Sequence, residues 1–322
     1  MSNSLRIVFM GTPEFAVASL DALVHSNHKV VAVVTAPDRP ASRGLKLQQS
    51  DVKRYADEKK IPVLQPEKLK DETFINQLKE LKADLFVVVA FRMLPKVIWE
   101  MPAKGTINLH ASQLPNYRGA APINWAIING EKKTGVTTFY INEHIDTGDL
   151  IRERDEDIME NDTAGSLHDR LMKKGAEVLV ESIDAIANGL NHHGFPQNQI
   201  PITHLKPAPK IFKQDCLINW NKPAREVFNF IRGLSPYPAA WTVLENKEGK
   251  KLTLKIYAST INKDIKVAPS VIEVIDGVHI YIGCSDSAIE VLELQLEGRK
   301  TMPVADFLRG FRLKDDGWHI AM

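Results

Sequence analysis

Residues 5–20, LRIVFMGTPEFAVASL, place an apolar run, a Gly-Thr-Pro break and a helically spaced apolar pattern back to back. Leu5–Phe9 predicts a strand, Met10-Gly11-Thr12-Pro13 ends it, and Phe15, Ala16, Ala18, Leu20 and Leu23 recur with helical spacing. Thr12 reads as the N-cap and Pro13 as the first helical residue, where a missing N–H costs nothing. An uninterrupted apolar strand of this kind belongs to a parallel sheet covered by helices on both faces. The unit recurs: Lys29–Thr35 (KVVAVVT), Ile61–Leu64 and Asp84–Ala90 (DLFVVVA) predict strands, with helical stretches over 50–59 and 68–81 between them. Such alternation predicts an α/β domain with a Rossmann-like, doubly wound sheet. Strands over 106–110 and 136–141 continue it, and 163–189 reads as one long helix whose inner side carries Leu167, Leu171, Ala176, Leu179, Ile183 and Ile186.

Past that helix the pattern changes. Residues 191–214 hold no acid but contain Lys206, Lys210, Lys213, three histidines and four prolines, the composition of a stiff, mildly basic linker. A short helix over 224–233 then precedes five strand-like runs, 240–244, 252–258, 271–275, 278–282 and 288–296, separated by turn residues such as Asp276-Gly277. Short strands punctuated in this way predict a small β-barrel of oligonucleotide-binding (OB-like) type. The expected organisation is a sheet domain over 1–190, a linker over 191–209 and a C-terminal barrel over 210–322.

Composition narrows the class of function. In 322 residues, 44% are hydrophobic and 25% charged, which excludes a disordered or fibrous chain. Two cysteines, Cys216 and Cys284, are too few for a disulfide framework or a Cys-based zinc site, and the histidines lack ligand spacing, so no metal is expected. No apolar stretch approaches the roughly 20 residues that span a bilayer, so a cytoplasmic protein without a membrane partner is expected. The net charge of +1 gives no sign of a polyanionic partner. That average hides an asymmetry, because residues 204–322 carry 17 Lys and Arg against 14 Asp and Glu.

The stretch with chemical content is 106–119, TINLHASQLPNYRG. On a strand, Ile107 and Leu109 face one side while Asn108 and His110 share the other. A carboxamide and an imidazole at the C-terminal end of a parallel strand lie where α/β sheets place their sites. Alone, N-x-H is a hydrogen-bonded strand end. Here a loop stiffened by Pro115, Gly119 and Pro122 follows, and a polar loop supplies Asp146, 36 residues after His110. Asn108, His110 and Asp146 together make an oxyanion donor, an imidazole and its orienting carboxylate, with no Ser or Cys nucleophile to complete a hydrolase triad. Gly11-Thr12-Pro13 lacks the further glycines of a dinucleotide fingerprint, which argues against NAD.

INLHASQLPNYRGAAPINWAI, followed by GVTTFYINEHIDTGDLI and preceded by FMGTPEFA, resembles the folate-dependent formyltransferases over essentially the whole chain. The resemblance implies Asn108, His110 and Asp146 as catalytic residues and 10-formyltetrahydrofolate as the formyl donor. It implies Ser112, Gln113, Leu114 and Pro115 as the folate-contacting loop, although Gln113 departs from the family's Leu. Phe91 would stand on the pterin side, where Ala90-Phe91-Arg92 replaces the usual Ala-Tyr-Gly run. In the expected chemistry an acceptor amine attacks the formyl carbon. Asn108 and His110 donate hydrogen bonds to the oxyanion, and Asp146 orients His110 and assists proton movement.

Family members formylate glycinamide ribonucleotide, amino sugars or charged tRNA, so the motif leaves the acceptor open. A linker and barrel suit an acceptor with a long phosphate backbone. The loop Asp38–Lys53 exceeds the usual βα length, and its Arg43 resembles a family position in contact with RNA. Lys206 and Lys210 match family positions near tRNA. The implied partner is methionyl initiator tRNA, met by a monomer. A nucleotide amino-sugar formyltransferase and a non-catalytic, folate-sensing RNA-binding protein are the alternatives.

Overall fold

The computed structural model describes residues 4–40, 47–189, 194–200 and 204–321. The first apolar run forms β1 (Arg6–Gly11) and leads into α1 (Glu14–Val24). The helix starts one residue later than Thr12 and Pro13 predict: Pro13 takes the N-cap place in an extended conformation (φ −84°, ψ 174°), so no side chain caps this end. Gly11 owes its identity to packing. A Cβ there would lie 2.7 Å from Ala16 Cβ and 3.0 Å from the Val89 carbonyl oxygen, so only glycine lets strand and helix approach.

Next come β2 (Lys29–Val34), the two-residue pair β3 (Arg39–Pro40) and β4 (Leu47–Gln48), α2 (Asp51–Glu58), β5 (Val63–Leu64), α3 (Glu72–Glu80), β6 (Leu85–Val89), α4 (Lys96–Trp99) and β7 (Thr106–His110). After β8 (Arg118–Gly119) and α5 (Pro122–Ile128) the chain returns in β9 (Lys133–Tyr140), β10 (Leu150–Asp157) and α6 (Ala164–Ala187). Seven strands form one sheet in the order β10-β9-β7-β6-β1-β2-β5. The five from β5 to β7 run parallel, and the order reverses about β1, as in a doubly wound sheet. The other two run antiparallel, β9 against β7 and β10 against β9. All of Leu85–Val89 is buried, and one face of the sheet packs Val8, Met10, Val34, Phe86 and Val88 against Phe74, Leu78 and Ile98.

The chain divides into two compact units. The first comprises Met1–Gly119, Lys133–Asp157 and His168–Pro207; the second comprises Ala120–Lys132, Ile158–Leu167 and Ala208–Met322. The second unit thus takes in α5 and the segment before α6 as well as the C-terminal third of the chain. Its later elements are β11 (Pro207–Ala208), at the junction, α7 (Ala224–Leu234), β12 (Ala240–Glu245), β13 (Lys251–Asn262), β14 (Ile272–Ile275), β15 (His279–Gly283), β16 (Ala288–Leu296), β17 (Met302–Pro303), α8 (Val304–Gly310) and β18 (His319–Ile320). The strands form a nearly closed antiparallel barrel in the order β14-β15-β16-β13-β12-β18, with β17 beside β16. Leu244, Leu254, Ile256, Ile282, Val291 and Leu294 fill it.

Cys216 and Cys284 lie in this core, and burial, with Asp286 adding to it, pushes the Cys284 thiol up to about 12. Both are inert apolar fillers. Trp220 is buried and its indole donates to Thr242 Oγ1 at 3.2 Å; Trp125 donates to the Pro209 carbonyl and Trp241 to the Lys213 carbonyl, each at 2.8 Å.

Candidate active site

The alternation along β7 buries Ile107 and Leu109 on one side and aims Asn108 and His110 to the other. His110 Nε2 lies 2.8 Å from the Tyr117 carbonyl oxygen. A carbonyl only accepts, so Nε2 carries the hydrogen and, in the neutral ring, Nδ1 is the basic nitrogen. Tyr117 can offer this carbonyl because its backbone is left-handed, φ +60°. Asp146, from the loop between β9 and β10, is left-handed as well, φ +54°. One of its carboxylate oxygens accepts the Gly119 N–H at 2.9 Å and faces His110 Nδ1 at 3.9 Å. That gap is too long for a hydrogen bond and leaves the imidazole oriented by Tyr117 rather than by Asp146. Asn108 Oδ1 is buried and has no hydrogen-bond partner among the described residues. His110 and Asp146 therefore face each other, and Asn108, two residues back on the same side of β7, keeps its acceptor oxygen unpaired among the described residues.

The loop beyond β7 is tied down internally. Ser112 is fully buried and its hydroxyl donates to the Asn116 carbonyl at 2.8 Å. Thr137 on β9 donates to the Ser112 carbonyl at 2.6 Å and accepts the Leu114 N–H at 3.3 Å, so one hydroxyl fixes both ends of 112–114. The Leu114–Pro115 peptide is cis. The Gln113 side chain reaches the surface and donates to Asp155 on β10 at 2.6 Å. Phe91 packs against the sheet core beneath the Arg92 guanidinium, which lies 5.6 Å from its ring centroid and donates to the Glu67 carbonyl at 2.9 Å.

Lys206 is tied to this loop through its backbone: its N–H donates to Asn116 Oδ1 at 3.2 Å and its carbonyl accepts the Tyr117 N–H at 2.6 Å. Lys210 belongs to the second unit, where its ammonium sits 5.2 Å from the Phe212 ring centroid. Arg43 lies outside the described residues.

Tyr117, Arg118, Thr137 and Gln197 are site residues that sequence reasoning missed. Arg118 and Gln197, with Pro115, Thr147, Asp149 and Leu205, line a cleft of about 440 Å³ beside Asp146. Burial lowers the Arg118 pKa from its ordinary value, and the Asp146 carboxylate works in the opposite sense. The Arg118-Gly119 pair was visible in the motif, but nothing in 191–209 marks Gln197. Among the described residues no cluster of three or more His, Cys, Asp or Glu could hold a metal, and no helix is long and apolar enough to cross a membrane.

Two family models match the chain: Formyl transferase over residues 5–183 and Formyl transferase, C-terminal domain, over residues 210–312. The methionyl-tRNA formyltransferase of Bacteroides thetaiotaomicron is 50% identical over 314 residues, covering 97% of this chain and 98% of the relative. That of Flavobacterium johnsoniae is 49% identical over 314 residues, covering 98% of both. Among solved structures, HypX from Aquifex aeolicus in complex with tetrahydrofolic acid shares the fold at a TM-score of 0.64 and 19% identity, over 96% of this chain and 48% of that one. This chain thus spans about half the length of HypX. An N-formyltransferase from Helicobacter canadensis, solved with folinic acid and dTDP-3-aminofucose, matches at 0.59 and 23% over 89% of this chain and 98% of that one. With matching family models for both its sheet domain and its C-terminal region, and relatives half identical along nearly its whole length, the chain belongs to the formyl transferase family.

Proposed function

We propose that this chain transfers the formyl group of 10-formyltetrahydrofolate to the free amino group of methionyl initiator tRNA. One observation carries the reading: a carboxamide and an imidazole share one side of β7 and a carboxylate faces the imidazole, beside a tied-down loop, in a chain half identical to methionyl-tRNA formyltransferases. Asn108, His110 and Asp146 are the proposed catalytic residues. The buried, unpartnered Asn108 Oδ1 supports the fit of a reacting group at this point, since such an atom is costly unless a ligand meets it. The folate supplies the formyl carbon. Ser112, Gln113, Leu114, Pro115 and Phe91 are the proposed folate-side residues, with 112–115 contributing mainly backbone.

In the reaction a bond forms between the amine nitrogen and the formyl carbon, the bond from that carbon to the folate nitrogen breaks, and the amine proton ends on the folate nitrogen. An aminoacyl α-amine near its ordinary pKa of roughly 7.7 to 8.0 needs no strong base. The Asn108 amide hydrogens and the protonated imidazole stabilise negative charge on the formyl oxygen, a contact worth ~100- to 1000-fold in rate. His110 Nδ1 and Asp146 stand 3.9 Å apart, too far for direct transfer, so the proton travels between the amine and the folate nitrogen through a bridging water or the reactants themselves.

We assign 1–190 to the catalytic domain, 191–209 to the linker and 210–322 to a barrel that contacts tRNA, in a monomeric, cytoplasmic enzyme. Arg43, Lys206 and Lys210 are the proposed RNA contacts. Each of the last two, changed to Ala, should reduce the salt slope of tRNA binding by about one. The test of function is to mix the chain with 10-formyltetrahydrofolate and charged initiator tRNA and look for formylmethionine. Product on a nucleotide amino sugar and none on tRNA would overturn the acceptor.

A further inference from the structure

Gln197 stands in a stretch that reads as linker, yet it is only 4% exposed. A carboxamide offers two donor hydrogens and an acceptor oxygen, and here every one is engaged. Its nitrogen donates to the Asp146 carbonyl at 3.0 Å and to the Gly148 carbonyl at 2.7 Å. Its oxygen accepts from Arg118 Nε at 3.2 Å and from a terminal guanidinium nitrogen at 2.6 Å. The two carbonyls bracket Thr147, and the first belongs to Asp146 itself, whose left-handed backbone is less populated than the extended or helical regions and is held here by these contacts. The next residue beyond Arg118, Gly119, gives its N–H to the Asp146 carboxylate. Gln197 thus joins the loop that carries the carboxylate to the loop that receives it.

We infer that Gln197 is a positioning residue for formyl transfer: it holds the backbone of 146–148 in its turn and so sets the Asp146 carboxylate against His110. The inference rests on the proposed role of Asp146. Displacing a reacting group by about 1 Å costs on the order of 100-fold in rate, without the same loss in substrate affinity.

Gln197→Glu separates the two halves of the contact, because it keeps oxygen acceptors for Arg118 and has no hydrogens for the two carbonyls. Gln197→Ala removes both. For each variant, kcat and KM for both substrates are measured on enzyme whose folded fraction is read by far-UV circular dichroism. The expected result is a 10- to 100-fold fall in kcat per folded molecule with KM within twofold. Should Gln197→Ala not fold, Gln197→Glu decides. The same Glu change is then made on an Asp146→Asn background, where it should alter the residual rate by less than twofold, because no carboxylate remains to be placed. Unchanged kcat in Gln197→Glu, a rise in KM alone, or a loss that multiplies with that of Asp146→Asn overturns the inference. Wild-type turnover that Asp146→Asn lowers about 1000-fold and Gln197→Glu leaves intact sinks this inference alone. A wild type that does not formylate charged tRNA sinks the proposed function and the inference with it.

Discussion

Two buried polar clusters, one in each unit, are built to opposite ends. In the second unit the Arg232 guanidinium donates to Asn229 Oδ1 at 2.9 Å and to the Met159 and Asp162 carbonyls at 3.2 and 3.0 Å, and lies 5.5 Å from the Phe228 ring centroid. Burial lowers its pKa, and Glu160 and Asp162 work in the opposite sense. In the first unit Asn108 Oδ1 has no described partner, His110 Nδ1 stops 3.9 Å short of Asp146, and the residues that bring the pieces together have left-handed backbones. A satisfied buried cluster fastens segments distant in sequence. One left incomplete gives up stability so that a reactant can complete it.

The largest expected effect breaks or upholds that contrast directly. His110→Ala and Asp146→Asn should each lower formylation by about 1000-fold. The unfolding midpoint of the full chain in urea should stay nearly unchanged in Asp146→Asn, which keeps an acceptor for the Gly119 N–H, whereas His110→Ala also costs about 1–3 kcal/mol because the Tyr117 carbonyl loses its donor. A loss below about tenfold would put the site in the same class as Arg232. Arg232→Met should do the reverse, costing about 2–4 kcal/mol of stability in the same titration because two carbonyls and a carboxamide lose their donor, without a comparable fall in rate per folded molecule.

Thr137→Val sharpens the boundary between the two behaviours. It removes both hydrogen bonds from Thr137 to 112–114, so KM for the folate should rise about 3- to 10-fold with kcat little altered. A fall in kcat with KM unchanged would move Thr137 into the positioning class.

The smallest effect concerns Asp286, whose carboxylate accepts the Ala224 N–H at 2.8 Å and thereby caps α7. That backbone bond holds its pKa below the ordinary value. Its stabilisation is therefore present above about pH 4 and is lost as pH falls through the lower folded-state pKa. Asp286→Ala should cost about 1 kcal/mol at pH 7, and the difference from wild type should shrink below pH 4 in acid titrations.

Much of the sheet domain was legible because strands buried on both faces are written as unbroken apolar runs such as Leu85–Val89. The edge strand β10 was not, since LIRERDED carries six charges in eight residues and shows no apolar alternation. Its arginines pair with Glu177 and Glu181 on α6, Arg154 at 3.2 and 2.7 Å, and Glu156 pairs with Arg170 at 2.7 Å. A charged edge also resists pairing with another chain. The cap of α7 was equally hidden, because the residue before the helix is Pro223 and its substitute stands 62 positions away in sequence.

Local chemistry determined what the sequence alone could determine: the strand runs, the long helix, the barrel's short strands, and the motif that brings Asn108, His110 and Asp146 into one expectation. These are properties of periodicity and residue type, and they survive translation along the chain. Tertiary structure decided which nitrogen of His110 is basic, that Tyr117 rather than Asp146 orients the ring, that Gln113 faces Asp155, and that Gln197 clamps the Asp146 loop. The reason is physical: a hydrogen bond depends on a few tenths of an ångström and on which groups remain unpaired once the chain has closed on itself, and neither is written in local spacing.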